Sequence, residues 1–393
     1  HTRDSDTPPP PRPDGPERLL PYLSAALCAA GAALIVAAAR GDLWFDEIWS
    51  VSFADVARSP LDLLTRFRHD NNHLLNTFYL YLLGMPDASL LYRLPAVAAG
   101  IGSLLLVSRI ARAWSRPVQA VALLLAATSF PLVLYFSEAR GYGPACFFAL
   151  LAFLLSLHWL ERRHRLTVLF LWLTIALGLL AHLTAVMLLP ALGIWLALRL
   201  WREDASVLRC TKSLLILLGP PLLFLAGLYA AFIRPMVRGG GNPVPLPAVL
   251  MRAAAMAGGL PADGAWGWAA LLVVAALVAG GTYVLLRSRD PDWIFFPAIL
   301  VVAPLALLAV TGTETVYFRY FIIALPFFYL LAARLAGFIL RSGPHWARAL
   351  VVVALAGYLA GQGCRLVPLL HRGRGSYRAA VRTMAARTPA GPI

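Results

Sequence analysis

The sequence of residues 41–80 is GDLWFDEIWSVSFADVARSPLDLLTRFRHDNNHLLNTFYL, the first long polar stretch in a chain that otherwise alternates apolar blocks with short basic loops. Carboxylates concentrated beside a bilayer usually mark a functional site. The carboxylates of this stretch therefore make it the candidate site of chemistry. The whole chain has 19 acidic residues, and those in this stretch are Asp42, Asp46, Glu47, Asp55, Asp62 and Asp70.

A string of short interfacial helices is predicted for the same stretch. Ser59 and Pro60 supply an N-cap and a proline at the first helical position, and Asp62 follows three residues after the cap. This combination starts helices. Trp44 and Trp49 suit the membrane interface, where the amphipathic indole ring is favoured. Helices with one apolar side lie on a membrane surface, so residues 41–85 are predicted to form an external loop with interfacial helices.

The composition predicts a multi-pass membrane protein. The chain has 393 residues, of which 60% are hydrophobic and 13% charged, which is too apolar for a soluble globular domain. Stretches of about 20 apolar residues can cross a bilayer as helices, and the sequence predicts an all-α bundle of about eleven such spans. The predicted spans are residues 20–39, 90–110, 118–136, 144–160, 166–181, 185–201, 214–233, 266–286, 294–310, 321–340 and 349–364.

Arginine placement predicts the orientation of the bundle. The formal net charge is +15, but the cations lie in short loops between apolar blocks, a pattern that orients membrane proteins. We therefore expect no nucleic-acid partner. If the basic loops 109–116, 161–165 and 341–348 are inside, the acidic loop 41–85 faces outward. The predicted location is a bacterial inner membrane, with the site facing the periplasm or the exterior.

Three units are predicted along the chain. Residues 1–18 contain six prolines among acidic and basic residues, which predicts a disordered cytoplasmic tail. Residues 19–366 form the transmembrane domain. Residues 367–393 are predicted to be an external amphipathic tail, and a soluble domain following it is either absent or truncated.

Five motifs, taken in order, resemble the GT-C superfamily of membrane glycosyltransferases. The resemblance is to the branch that contains protein O-mannosyltransferases and the lipid A aminoarabinose transferase. It implies an inverting glycosyltransferase that moves a sugar from a polyprenyl-phosphate donor to a hydroxyl of a lipid, glycan or protein acceptor. The motifs are WFDEIWSV from residue 44, HDNNHLLNTFYLYLLG from residue 69, LYRLPAV from residue 91, YFSEARGYG from residue 135 and YFRYFIIALPFFYLLAA from residue 317.

Asp46, Glu47 and Asp70 are the catalytic candidates. The resemblance implies that Asp46 is the general base, because a hydroxyl must lose its proton as it attacks the sugar. It assigns Asp70 a supporting role in binding the sugar or the acceptor. From the residues alone, all three carboxylates could instead cap or solvate the starts of interfacial helices.

Two arginines and two tyrosines are the candidates for binding the donor phosphate: Arg140, Tyr142, Arg319 and Tyr320. The planar fork of arginine matches phosphate oxygens, although Arg140 could instead extend to lipid headgroups. Glu138, His73 and Asn72 are the supporting candidates, with Glu138 expected to hold Arg140. Arg93 is interpreted as an arginine that helps to set the membrane topology or to stabilise the structure.

The proposed chemistry needs no cofactor, and we predict none. A divalent metal remains an alternative, with Asp46, Glu47, Asp70, His73, His182 and Glu314 as its possible ligands, although no segment has metal-ligand spacing. Two other functions also remain open: a lipid or glycoconjugate transporter or flippase, and a polymerase or ligase that uses lipid diphosphate-linked glycans. The sequence shows neither an internal repeat nor paired broken spans, which disfavours a transporter.

Overall fold

A computed structural model of the protein describes residues 18–239, 242, 244–312 and 316–387. The regular structure of this part is helical, which confirms the predicted all-α fold. The predicted disordered tail lies outside the described residues except for its last residue. The α-helices are α1 Leu20–Ala38, α2 Phe45–Asp55, α3 Pro60–Thr65, α4 Leu74–Leu83, α5 Ser89–Trp114, α6 Arg116–Ala127, α7 Phe130–Phe136, α8 Tyr142–Arg162, α9 Arg165–Ala181, α10 Leu188–Glu203, α11 Val207–Leu228, α12 Leu246–Gly258, α13 Gly264–Arg287, α14 Phe295–Pro297, α15 Ala303–Thr311, α16 Leu325–Ser342, α17 His345–Arg372 and α18 Tyr377–Arg387.

Short irregular helices extend several of these elements. Segments of 3₁₀-helix at Leu183–Met187 and Phe318–Ala324 lead into α10 and α16. Segments of π-helix at Tyr229–Ile233 and Ala298–Val302 follow α11 and α14. Such segments often lie near functional sites.

The chain is a multi-pass membrane protein, but the count of eleven spans is not confirmed. Within the described residues, 8 helices are long and apolar enough to cross a membrane, or up to 9 if the bent pair α6 and α7 counts as one span. That pair is bent by 64°. Two further predicted spans fall on α9, which has 17 residues, and on Phe295–Thr311, which contains a π segment.

The centre of the bundle is formed by α8 and by α16 with its 3₁₀ extension, which are the most buried spans. Phe153 of α8 stacks on Phe295 with ring centroids 4.3 Å apart, and Trp195 and Phe327 pack around the same pair. By contrast, α1, α11, α13 and α17 expose most of their apolar side chains. Exposed leucine and valine suit a helix that faces lipid.

The loops between helices gather at two ends of the bundle. At one end, where the basic loops lie, Trp114 Nε1 donates to Asp290 Oδ2 at 3.0 Å. At the other end, the backbone N–H of Asp70 donates to the carbonyl of Val237 at 3.1 Å, which ties the 41–85 loop to the segment after α11. The acidic loop and the basic loops are therefore separated.

The sequence prediction for the start of α3 is confirmed. Ser59 is the N-cap residue and Pro60 is the first helical residue. The carboxylate of Asp62 accepts hydrogen bonds from the Arg58 backbone N–H at 2.9 Å and from the Ser59 hydroxyl at 3.2 Å. The next helix, α4, has His73 as its N-cap residue, so the polar residues 70–72 precede the cap.

A close backbone contact requires glycine in the turn between α7 and α8. A Cβ atom on Gly141 would lie 1.6 Å from the carbonyl oxygen of Ala181 and 2.9 Å from Nδ1 of His73. The φ angle of Gly141 is −78°, which any residue can adopt, so the requirement is purely steric. This contact brings residues 138–142 against the end of α9.

Replacing Gly141 with alanine is expected to destabilise the fold, because the carbonyl of Ala181 belongs to the backbone and cannot move aside. Overpacking of this kind costs about 1–3 kcal/mol, and sometimes more. Thermal unfolding of the purified protein in detergent measures the effect. The control is Gly357→Ala in α17, where an added Cβ meets nothing within 4 Å. Equal unfolding temperatures for the two variants would contradict the close contact.

The two ends of the bundle are predicted to face opposite sides of the membrane, with the acidic loop outside. In a background whose native cysteines are replaced by serine, Arg58→Cys should react with an impermeant maleimide added to intact cells. Arg202→Cys, an identical change at an exposed position of the basic end, should react only after lysis. The reverse pattern would invert the orientation.

Candidate active site

A buried ion pair between Glu47 and Arg93 fixes the start of α2. Glu47 is fully buried, and its two carboxylate oxygens accept hydrogen bonds from Nε and Nη2 of Arg93 at 2.7 and 2.6 Å. They also accept the backbone N–H groups of Trp44 at 2.9 Å and Ala139 at 2.6 Å. With both oxygens occupied, Glu47 has no free position for a substrate. Glu47 therefore holds the site in place, and its predicted catalytic role remains a prediction.

Asp46, which precedes Glu47 in α2, faces two arginines from distant parts of the chain. Its Oδ2 forms an ion pair with Nη1 of Arg140 and lies 3.4 Å from Nη1 of Arg319. The Asp46 side chain is 15% exposed and that of Arg319 is 24% exposed, so the cluster is open to a ligand. The structure thus brings together the predicted base and the two predicted phosphate-binding arginines.

Neutral side chains orient the guanidinium of Arg140. Its Nη2 donates to Oδ1 of Asn71 at 2.7 Å and lies 3.0 Å from Nε2 of His73. The guanidinium carbon lies 5.1 Å from the ring centre of Tyr142, within the range of a cation–π interaction. The ring of Tyr142 is buried, so its predicted role at the phosphate remains a prediction. Asn71 was not among the predicted site residues.

His73 is a neutral hydrogen-bond acceptor. Burial, together with the neighbouring Arg140 guanidinium, lowers the pKa of His73 well below the usual histidine value, because both disfavour the charged imidazolium. A guanidinium cannot accept a hydrogen bond, so Nε2 of His73 must accept from Arg140. The pKa of His182, whose ring centre lies 4.6 Å from that of His73, is lowered for the same reasons. The two histidines therefore add no positive charge to the site.

Asp70 and Tyr320 lie at the edge of this cluster. The carboxylate of Asp70 contacts Nδ1 of His69 at 2.9 Å, and Tyr320 packs on Tyr317. Among the described residues, no hydrogen bond or ion pair joins either side chain to Asp46. The roles predicted for Asp70 and Tyr320 remain predictions.

Asn72 connects α3 to the start of α4. Its amide nitrogen donates to the carbonyls of Leu63 and Phe67, both at 2.7 Å, which fixes α3 against the start of α4. The side chain is buried. Its Oδ1 has no hydrogen-bond partner among the described residues, and the supporting role predicted for Asn72 remains a prediction.

Glu138 does not hold Arg140 as predicted. Its buried carboxylate forms an ion pair with Arg374, and only its backbone carbonyl contacts Arg140, accepting the N–H at 2.7 Å. The guanidinium of Arg374 also lies over the ring of Trp44, 3.5 Å from its centre. Only the basic character of the tail pointed to Arg374 at the level of the sequence.

The described residues contain no group of three or more His, Cys, Asp or Glu side chains placed to hold a metal ion. Glu314, one of the possible ligands considered from the sequence, lies outside the described residues. The prediction that no metal is used is therefore not tested.

Three membrane glycosyltransferases of known structure resemble this chain. ArnT from Cupriavidus metallidurans, bound to undecaprenyl phosphate, has a TM-score of 0.61 and 12% identity, with 96% of this chain and 82% of ArnT covered. The oligosaccharyltransferase AglB from Archaeoglobus fulgidus, in complex with an inhibitory peptide and a dolichol-phosphate, has a TM-score of 0.60 and 12% identity, covering 95% of this chain and 59% of AglB. The arabinosyltransferase EmbB from Mycobacterium smegmatis has a TM-score of 0.56 and 14% identity, covering 94% of this chain and 42% of EmbB.

No protein-family model and no curated protein sequence matches the chain. Identities this low carry information about the fold and not about the substrate. The resemblance extends over nearly the whole chain in each case, and it agrees with the order of motifs in the sequence. This chain therefore shares the fold of ArnT, AglB and EmbB.

Proposed function

We propose that the protein is an inverting glycosyltransferase that moves a sugar from a polyprenyl-phosphate donor to an acceptor hydroxyl at the external face of the membrane. The observation that carries the proposal is the contact of Asp46 with Arg140 and Arg319. It combines one carboxylate able to accept a proton with two guanidiniums able to bind a phosphate. Both occur at the acidic end of a GT-C fold.

The two arginines bind the donor phosphate and stabilise it as the leaving group. When the bond between the sugar and the phosphate breaks, the electron pair moves to the phosphate oxygen. Arginine forks bind phosphate oxygens through charge-assisted hydrogen bonds, and donors already oriented in a poorly solvated site stabilise developing charge most effectively. The hydrogen bond from Arg140 to Asn71 and the contact of Arg140 with His73 provide this orientation before the donor arrives.

Asp46 is the general base of the reaction. The acceptor oxygen attacks the anomeric carbon and loses its proton to the carboxylate, and the leaving phosphate needs no proton. A single displacement of this kind inverts the anomeric centre and needs one base, unlike the paired carboxylates of glycosidases. The arginines supply the positive charge for this step, and we assign no metal or cofactor to it.

The ion pairs of Asp46 imply that the donor binds first. Oδ2 of Asp46, which would accept the proton, contacts both guanidiniums. If a donor phosphate takes over these guanidiniums, the oxygen becomes free to accept the proton of the acceptor. Donor binding then activates the base, which limits proton transfer to sites that already hold a donor.

The charge of the site suits a donor with one phosphate group. Arg140, Arg319 and Arg374 contact Asp46 and Glu138, so three cations face two carboxylates and one positive charge remains. A sugar linked through a single phosphate brings one negative charge. The ArnT structure with undecaprenyl phosphate and the AglB structure with dolichol-phosphate support a lipid-phosphate ligand. A lipid diphosphate-linked glycan is the alternative donor to compare in the assay.

Replacing Asp46 with asparagine is expected to reduce transfer from radiolabelled undecaprenyl-phosphate sugars by about 10²–10⁴-fold, because the base is lost. The same change should strengthen binding of undecaprenyl phosphate, since it removes the anion that competes for the arginines. The matched control is Asp55→Asn, an exposed acid on the same helix. Full turnover by the Asp46→Asn variant would contradict the assignment.

Replacing Arg140 or Arg319 with alanine is expected to lower turnover more than donor affinity, because the charge that each binds grows during the reaction. Losing one such donor costs about 2–4 kcal/mol of transition-state stabilisation. Lysine should restore only part of the rate, since it lacks the planar fork. Arg58→Ala, an exposed change in the same loop, is the control. Wild-type rates for both alanine variants would remove the phosphate site from the proposal.

A further inference from the structure

The segment after α17 turns back onto the candidate site. Gly373 has a φ of +62°, a conformation that favours glycine, and a Cβ on Gly41 would lie 3.7 Å from the Cα of Gly373. This contact places the end of α17 beside the start of the acidic loop. The next residue, Arg374, extends its guanidinium into the site, where 25% of its side chain remains exposed.

Arg374 contacts two segments that carry different parts of the proposed machinery. Its guanidinium covers the ring of Trp44, 3.5 Å from the ring centre, and Trp44 is the N-cap residue of α2, two residues before Asp46. It also pairs with Glu138, two residues before Arg140. One side chain therefore links the segment of the base to the segment of a phosphate-binding arginine.

Glu47 links the same two segments from the interior, because it accepts N–H groups from Trp44 and Ala139. Arg374 does so from the open side of the site. We propose that Arg374 is a positioning residue that clamps α2 to the turn at residues 138–140 and so sets the separation of Asp46 and Arg140. The effect on transfer rests on the function proposed above, whereas the clamp itself does not.

Burial makes Arg374 difficult to replace alone. The carboxylate of Glu138 is 2% exposed, and a buried charge that loses its partner strongly destabilises a protein. A single substitution would therefore change both the stability of the fold and the positions of the site residues, and its effect on activity could not be assigned to either. Removing both charges leaves no unpaired ion, so the double variant Glu138→Gln/Arg374→Gln separates the two effects.

The test compares the wild type, the double variant and Arg372→Gln, an exposed arginine two residues earlier. Hydrogen–deuterium exchange of the purified protein is measured with no substrate present. In the double variant, amides in the first turn of α2 and at residues 138–142 should exchange at least about tenfold faster, because global stability is kept while local opening becomes easier. In the double variant, amides of α8 beyond its first turn should exchange at the wild-type rate. In the Arg372→Gln protein, all of these amides should exchange at the wild-type rate. Unchanged exchange in the double variant would overturn the clamp.

Transfer and binding assays on the same proteins complete the test. Turnover of the double variant should fall about tenfold or more, with binding of undecaprenyl phosphate kept within about threefold, since misplacement of reacting groups affects the rate more than binding. Arg374→Lys, which keeps the charge, should retain part of the turnover that the double variant loses. Loss of undecaprenyl phosphate binding would show instead that Arg374 is a ligand of the phosphate and overturn the positioning role. If the double variant exchanges faster but the wild type transfers no sugar, the clamp is supported and the proposed function is rejected.

Discussion

The buried pair of Glu47 and Arg93 is the interaction on which the candidate site depends. A carboxylate removed from water must find hydrogen-bond donors for both oxygens, or its burial is prohibitively unfavourable. Glu47 finds them on α5, on its own helix start and on the turn before α8. Arg93 in turn donates to the carbonyls of Ala39 and Gly41 at 2.9 and 2.7 Å. The ends of several helices must therefore meet at one point.

This meeting point explains how two adjacent acids acquire different environments. Successive residues on an α-helix point about 100° apart, so α2 directs Glu47 into the core and Asp46 toward the open cluster. The buried acid fixes the helix, and the exposed acid faces Arg140 and Arg319. A rigid scaffold of this kind keeps reacting groups in place before a substrate arrives.

The arrangement also shows how a membrane bundle keeps ionisable groups near a bilayer. Inside the bundle, aromatic and aliphatic side chains such as Phe153 and Trp195 fill the space between helices. The charged groups of the candidate site lie at one end, where each carboxylate contacts an arginine: Asp46 with two arginines, Glu47 with Arg93 and Glu138 with Arg374. The resemblance in fold to ArnT, AglB and EmbB at 11–14% identity indicates that this architecture tolerates extensive sequence replacement.

The sequence by itself determined the helical membrane fold, the separation of acidic and basic loops, the start of α3 at Ser59 and the candidacy of Asp46, Arg140 and Arg319. These features follow from local composition, cap residues and ordered motifs. It did not distinguish Glu47 from Asp46, or Asn71 from Asn72, because neighbours in sequence differ only in the direction in which the folded backbone points them. Only the tertiary structure decided that Arg93 pairs with Glu47 and Arg374 with Glu138, since the members of these pairs lie far apart in the chain and meet through packing alone. Helix lengths and the bend between α6 and α7, which composition does not encode, likewise leave 8 or up to 9 candidate spans among the described residues.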